Sequence, residues 1–377
     1  MNVAVVGGGP AGSLLACHLA RDGARPTIFD ASHPREKPCG GGITAKALEL
    51  LPAAPAGDPL PARWIEACRF ESGAGEAVDL HLPKPVAIAS RRELDAWLLR
   101  RATEAGARHV AERVVAVSPG PRLRTSSGRE QRFDLVVGAD GASSLVRRTF
   151  LSATPVSRLT MAAGWFARGT SPMLVRFVPG LSGYLWLFPR RDHVGVGICA
   201  PLTWTPTRQM LARLESEAAR EFPALLELES ERYAHTIPSP STDPRSITEI
   251  AGDGWALVGD AAALADPITG EGIYYALRSA SLLAQTLRLE GSPARYPERA
   301  LEDFGQDLLK AAALRDRFYA PGFSSRMVRY SARSGAIRDV LADLVLGKQG
   351  YVGLKRRLLR AAPRFAWDAT AARLFAA

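Results

Sequence analysis

Four apolar residues in succession, Val3 to Val6, open the chain as a strand covered on both faces would. Leu14, Leu15 and Leu19 then recur at helical spacing, and Gly23 is placed to end that helix. Residues 27–29 form a second strand and residues 44–51 a short helix, while the proline- and alanine-rich residues 52–61 form an exposed connection. Residues 64–70, 77–82 and 86–89 read as strands of a second sheet. Ser90 starts the next helix, with Glu93 completing a capping box and Leu94, Trp97, Leu98 and Ala102 forming its core face up to Gly106. Strands are expected at 110–117 and 135–137, and a helix begins near Ser143 or Ser144. From 152 to 250 β-type segments dominate, with 174–177, 183–188 and 194–199 as adjacent strands. One helix interrupts them at about 206–220, where Met210, Leu211 and Leu214 repeat. Within the second of these strands Tyr184, Trp186 and Phe188 alternate, so the three rings project from one face. A strand at 255–258 and a helix from Ile273 complete the pattern.

This order predicts an α/β protein: a Rossmann-type domain, a second domain built on a mixed β-sheet that takes the substrate, and a helical C-terminal tail. The expected division assigns 1–60, 91–155 and 245–290 to the first, 61–90 and 156–244 to the second, and 291–377 to the tail. A chain of 377 residues is too long for one small core, which agrees with two lobes. No apolar run reaches the length of about 18 residues that a membrane span needs. The chain enters its first strand directly, so a secretory leader is not expected. Cys17, Cys39, Cys68 and Cys199 show neither a C-x-x-C pair nor metal-ligand spacing, which points to a reduced cytoplasmic protein without a metal site. The net charge of +10 suits anionic ligands or an anionic membrane surface. Its basic residues are scattered and no binding motif accompanies them, so nucleic acid is not an expected partner.

Three turns carry the chemistry. Gly7, Gly9 and Gly12 supply the G-x-G-x-x-G spacing between the first strand and its helix. Gly7 allows the tight turn, Gly9 lets a pyrophosphate approach the backbone, and Gly12 lets the helix pack on the strand. Asp30 ends the second strand, about 20 residues on, where an acid accepts a ribose hydroxyl. Next, Cys39 precedes Gly40, Gly41 and Gly42, a stretch suited to a cofactor-facing loop that carries a thiol. The segment DLVVGADGASSLVRR is another strand-to-helix turn at the carboxyl end of a parallel sheet. Finally, in GDAAALADPITGEGI, Asp260 follows a strand, and Gly270 and Gly272 shape a loop before a helix N-terminus able to face a ring or phosphates. Arg91 stands in the first turn of its helix, where a cation is disfavoured unless an anion is near.

These motifs resemble the flavoprotein monooxygenase-like superfamily over roughly residues 1–290, through GGGPAG, GADGASSLVRR and GDAAALADPITGEGI. Within it, KPCGGGI and GYLWLFP, with weaker support from GKQGYVGLKRRLL, resemble the geranylgeranyl reductase family. The resemblance implies bound FAD, its adenosine half held by Gly7, Gly9, Gly12 and Asp30. It also implies that Arg91 contacts FAD and that Asp260 meets the ribityl and pyrophosphate region. Asp30 replaces the commoner glutamate and still reaches a ribose diol. NADPH or another reductant is a candidate electron donor, and no second nucleotide fingerprint identifies it. Halogenases of the superfamily carry W-x-W-x-I-P, whereas Tyr184 and Phe188 stand at its first and fifth places here. A flavin monooxygenase or halogenase, and a non-catalytic flavin- or lipid-binding protein, are the alternative readings.

The family reduces isolated carbon–carbon double bonds of prenyl chains. An unactivated alkene is electron-rich, so hydride adds only if the other carbon is protonated. That requires an acid and a wall that tolerates positive charge. Thiols ordinarily titrate near about 8.5 and are mostly protonated at neutral pH, which makes Cys39 a candidate donor. The faces of Tyr184 and Trp186 are candidates to stabilise the charge, by about 0.5–2 kcal/mol each. A hydrophobic or lipid substrate suggests peripheral membrane contact. Residues 341–377 fit that expectation, with seven Lys/Arg against two Asp. Among them Lys355, Arg356, Arg357 and Arg360 cluster beside Leu354, Leu358, Leu359, Phe365 and Trp367, as in a helix at a lipid interface.

Overall fold

The structure, a computed structural model, describes residues 1–73, 75–203, 205–226, 232–320 and 322–360. The chain begins β1 (Asn2–Val6), α1 (Pro10–Arg21), β2 (Arg25–Phe29), β3 (Gly42–Ile43) and α2 (Ala45–Leu48). A long hairpin, β4 (Arg63–Ser72) and β5 (Ala77–Ile88), leads into α3 (Arg91–Glu104) and β6 (Arg108–Val110). Three short strands, β7 (Val114–Ser118), β8 (Arg122–Thr125) and β9 (Glu130–Arg132), precede β10 (Leu135–Gly138) and α4 (Leu145–Phe150). Then come β11 (Leu159–Arg168), β12 (Met173–Phe177), β13 (Tyr184–Pro189), β14 (His193–Pro201), α5 (Thr207–Glu221) and β15 (Arg232–Pro238). After α6 (Arg245–Thr248) follow β16 (Ala251–Gly252), β17 (Trp255–Leu257) and α7 (Ile273–Glu290). The last helices are α8 (Tyr296–Ala300), α9 (Gln306–Phe318), α10 (Phe323–Arg333) and α11 (Gly335–Val345).

The first sheet runs β16-β17-β10-β1-β2-β6, parallel except at β16. Val3, Ala4 and Val5 have no exposed surface, because α1, packed between α3 and α7, covers one face of this sheet. From β1 the chain crosses to β2 on one side, whereas β10 joins β1 on the other. The crevice beyond Gly7 and Ala139 is therefore a topological switch point, where open α/β sheets bind ligands.

The second sheet is β15-β11-β14-β13-β12-β4-β5-β3, with β4 and β12 parallel and its other pairs antiparallel. On β13, Leu185 and Leu187 turn to the face covered by α5, where Met210 and Leu214 are buried and Leu211 is half-buried. Tyr184, Trp186 and Phe188 turn to the other face. Opposite them on β14 stand Cys199, Gly197 and Gly195. A Cβ on Gly197 would lie 2.0 Å from the Trp186 ring, so the small residues of β14 make room for the large ones of β13. The C-terminal helices close the far end, where Val328, Leu341 and Leu346 pack with Phe70, Leu80 and Val86. Each such buried side chain contributes about 1.5–3 kcal/mol.

Several expected elements take a different form. The two segments at 77–82 and 86–89 are one strand, β5, whose pairing with β4 shifts register between Ile65 and Ala67. The expected strand at 110–117 is two, because β6 joins the first sheet and β7 a separate one. The helix expected over 44–51 is a single turn, α2. Ser90 and Glu93 form no capping box: the Ser90 hydroxyl donates to Glu36 at 2.5 Å, and Glu93 lies 3.6 Å from Arg191. Glu36 itself accepts the Arg91 N–H at 3.0 Å, so a carboxylate distant in sequence caps α3. Phe365 and Trp367 lie outside the described residues.

Candidate functional site

A cavity of about 890 Å³ runs from the crevice of the first sheet to the aromatic face of the second. Gly7 and Gly9, Asp30, Arg91, Cys39 and Gly41, Tyr184 and Trp186, and Asp260, Gly270 and Gly272 all line it. Gly12 alone of the expected site residues is absent from the lining.

The three fingerprint glycines have separate reasons for lacking a side chain. Gly7 has φ +103°, and a Cβ there would sit 2.3 Å from the Ala139 carbonyl oxygen. At Gly12 a Cβ would stand 2.0 Å from the Gly7 carbonyl oxygen, so α1 could not approach β1. Gly9 differs, since its φ of −69° suits any residue. A Cβ there would meet only Arg91 Nη2 at 3.8 Å and Asp95 Oδ2 at 4.0 Å. Nothing in the protein forbids a Cβ at Gly9, and the open space in front of it suits a pyrophosphate. On the opposite wall Gly141, at φ +77°, likewise has nothing within 4 Å of an added Cβ. Asp140 beside it accepts the Leu145 N–H at 2.6 Å, while its Oδ1 is buried without a partner.

Asp30 accepts the Gly8 N–H at 2.8 Å and the Ser32 N–H at 2.7 Å. Burial pushes its carboxyl up, but hydrogen bonds from Ser32 and Gly8 bring it below its ordinary value. The group is ionised and suited to a ribose diol. Arg91 is 5% exposed and makes a two-pronged contact with Asp95 at 2.7 and 2.8 Å, the anion its helix position demands. Asp260 pairs with Lys37 at 3.1 Å, and that cation outweighs the burial that disfavours its charge. Together these residues fit a flavin dinucleotide: a glycine turn open to phosphates, an ionised carboxylate suited to a ribose and a buried arginine beside the turn.

Between the two sheets lies the strap Cys39–Gly42. Gly41, at φ +81°, abuts the Ala89 carbonyl oxygen, and its N–H points at the Cys39 sulfur, 3.3 Å away. Across the cavity the Tyr184 and Trp186 ring centres are 6.0 Å apart, and those of Trp186 and Phe188 6.5 Å. The Tyr184 hydroxyl donates to the Thr269 carbonyl, tying the aromatic strand to the loop that carries Gly270 and Gly272. Tyr319 secures the same loop by donating to the Ile268 carbonyl at 2.6 Å, and Tyr351 by donating to Asp266 at 3.3 Å. Burial raises Asp266 to about 6, against the Thr269 and Ile268 N–H groups it accepts.

Other residues of the site escaped the sequence reading. His235 lines the cavity with its Nε2 unpartnered, and burial lowers its pKa to about 4, so it is neutral. Cys199 lines it too, its thiol pushed by burial up to about 12. The alternation G-x-G-x-C of β14 was the available signal for Cys199, and the Glu-Lys pair just before Pro38 was the signal for Glu36 and Lys37.

The switch-point crevice, its glycine cradle and the second sheet facing it define a flavin-dependent oxidoreductase. The chain belongs to the FAD binding domain family, matched over residues 1–294, and within it to the geranylgeranyl reductases. It is 30% identical over 387 residues to the chloroplastic geranylgeranyl diphosphate reductase of Nicotiana tabacum, covering 91% of this chain and 77% of that one. To the menaquinone reductase of Mycobacterium tuberculosis it is 29% identical over 370 residues, covering 90% and 89%. Its fold is similar to that of a geranylgeranyl bacteriochlorophyll reductase-like protein from Thermoplasma acidophilum (TM-score 0.76, 20% identity, 99% and 98% covered). A flavin-dependent brominase shares the fold as well (TM-score 0.74, 18% identity, 96% and 100% covered). The protein is an FAD-dependent oxidoreductase, and among its described residues no helix is long and apolar enough to cross a membrane.

Proposed function

We propose that the protein reduces isolated carbon–carbon double bonds of a prenyl substrate. The observation that carries this reading is a cluster of apolar side chains in the cavity lining, Phe70, Met173, Phe177, Phe318, Met327 and Leu341, which pack together as one apolar end. A hydrocarbon chain placed there loses contact with water at no cost in buried charge. Relatives named for geranylgeranyl and menaquinone reduction point the same way.

Gly7, Gly9, Asp30, Arg91, Gly41, Asp260, Gly270 and Gly272 hold FAD in this reading, with Gly12 setting the approach of α1. Bound in its reduced form, the cofactor supplies the hydride. Cys39 delivers a proton from Sγ to the other alkene carbon, and NADPH or another reductant restores the electrons. Tyr184 and Trp186 face the carbon that becomes positive, their π-faces contributing about 0.5–2 kcal/mol each. The enclosing aromatic and aliphatic walls keep water from capturing that carbon. Fold likeness alone supports the oxygenase alternative.

The apolar end also suggests how substrate arrives. It is walled by Met327 of α10 and Leu341 of α11, and Tyr330 on α10 and Val352, Leu358 and Leu359 in the segment after α11 are exposed. Lys355, Arg356 and Arg360 accompany them, forming a surface suited to peripheral contact with an anionic bilayer.

Mass spectrometry of products tests the reaction. Geranylgeranyl diphosphate and a polyprenyl quinone, each incubated anaerobically with FAD-loaded protein and reductant, should gain two hydrogens per reduced bond, counted for the quinone on its prenyl-chain fragments because reduction of the ring to a quinol adds two hydrogens as well. Unchanged masses for both, or an added oxygen when air is admitted, would overturn the assignment.

A further inference from the structure

The hairpin between β13 and β14 carries Arg190, two residues beyond the last aromatic of the cavity wall. Its side chain is wholly buried, with a surface exposure of 0%. A buried guanidinium is costly unless its donors are met; here both Nη atoms have partners while Nε has none. Nη1 donates to Glu36 Oε1 at 2.9 Å and lies 3.0 Å from His193 Nε2, while Nη2 donates to the Cys39 carbonyl at 2.7 Å. The guanidinium carbon lies over the Phe166 ring, 4.6 Å from its centre.

Glu36 extends the link. The carboxylate that pairs with Arg190 also accepts the Ser90 hydroxyl and the Arg91 N–H. One ion pair thus joins three parts of the site: the aromatic strand, the strap bearing Cys39, and the helix start bearing Arg91. A second contact reinforces it, because a Cβ on Gly40 would lie 2.4 Å from the Phe188 ring. The strap is pressed on the ring at Gly40 and tethered by its carbonyl at Cys39, one residue apart.

We propose that Arg190 and Glu36 are positioning residues, an internal clamp that fixes the Cys39 strap against the aromatic wall and so sets where the thiol points. The proposal rests on the reading of Cys39 as a proton donor only for its consequence in turnover, since the clamp itself can be measured without substrate. A fork is needed at Arg190, because one group must reach the Glu36 carboxylate and the Cys39 carbonyl together. Lysine carries three donors on one ammonium but not the fixed fork, so it reaches the two acceptors less well.

The test uses FAD-loaded protein and the alkylation rate of each cysteine by iodoacetamide, resolved by peptide mass spectrometry. Cys17, Cys68 and Cys199 are buried and Cys39 is partly exposed, so the four report different parts of the molecule. In Arg190→Gln the Cys39 rate should change several-fold while the other three stay protected and FAD stays bound. Arg190→Lys should fall between that variant and the natural protein, and kcat for prenyl reduction should drop with KM nearly constant. Where Arg190→Gln does not fold, Glu36→Gln takes its place, because its amide oxygen can still accept from Arg91 while the charge pair is lost. An unchanged Cys39 rate in a folded variant, or a parallel rise at all four thiols, would overturn the clamp. Failure of the natural protein to reduce any prenyl substrate would overturn the proposed function and leave the thiol result standing.

Discussion

Gly9 and Gly12 are three residues apart, yet substitution should affect them in opposite ways. Gly9→Val meets no backbone and has an ordinary φ, so the protein should fold and lose FAD, read as flavin absorbance per protein after desalting. Gly12→Ala places a methyl 2.0 Å from a carbonyl oxygen and forces α1 away from β1, a strain of about 1–3 kcal/mol that should lower Tm before cofactor enters the question. Full flavin content in Gly9→Val would remove the cradle from this loop. Cys39→Ser isolates the proposed chemistry, since it should keep FAD and slow alkene reduction by about 10²-fold or more, the scale of a lost general acid. An unchanged rate would leave Cys39 a packing residue.

Among the elements, the loop from Asp266 to Gly272 gives the clearest pH signature. Asp266 titrates near about 6 in the fold, above its ordinary 3.8, because burial disfavours its charge. The folded state therefore holds more protons than the unfolded one between those values, and stability falls as pH rises through them. Asp266→Asn keeps an oxygen for the Ile268 and Thr269 N–H groups and removes the charge. Its Tm should exceed that of the natural protein at pH 7, and the difference should vanish below about pH 4. A constant difference across that range would contradict a buried carboxylate here. The same scale shows what the sequence discloses. β1, α1, β13 and α7 were legible because their apolar spacing and turn residues agree with the places they occupy. The cap of α3 was not, because the local Ser90–Glu93 pattern loses to Glu36, brought close only by folding. β11 and β15, which flank each other in the second sheet, were never picked out singly. Residues such as Ala162, Ala163 and Gly164 on β11 give little alternation to read. Arg190 follows the aromatic motif, but the partners that tie it to the site, Glu36 and Cys39, are 154 and 151 positions away.

At the scale of the whole molecule, the cofactor cradle and the apolar pocket belong to different sheets, and the chemistry depends on their facing one another. The basic, apolar surface outside α10 and α11 should bring the pocket to a bilayer. Co-sedimentation with anionic vesicles should exceed that with neutral ones and drop when Lys355, Arg356 and Arg360 are replaced together, at about 1 kcal/mol per charge. Arg357 is a poor choice for that test, since it pairs with Asp343 and Gln349. Equal recovery with both vesicle types would leave the surface as plain structure. The central claim, that electrons pass from reduced flavin to a prenyl double bond, is tested most directly by an anaerobic half-reaction. Photoreduced, FAD-loaded protein is mixed with geranylgeranyl diphosphate, and the flavin absorbance is followed as product is quenched for mass analysis. The account predicts reoxidation without oxygen, with one product heavier by two hydrogens for each flavin reoxidised. Flavin that stays reduced until oxygen is admitted, with a product that gains an oxygen atom, would contradict it.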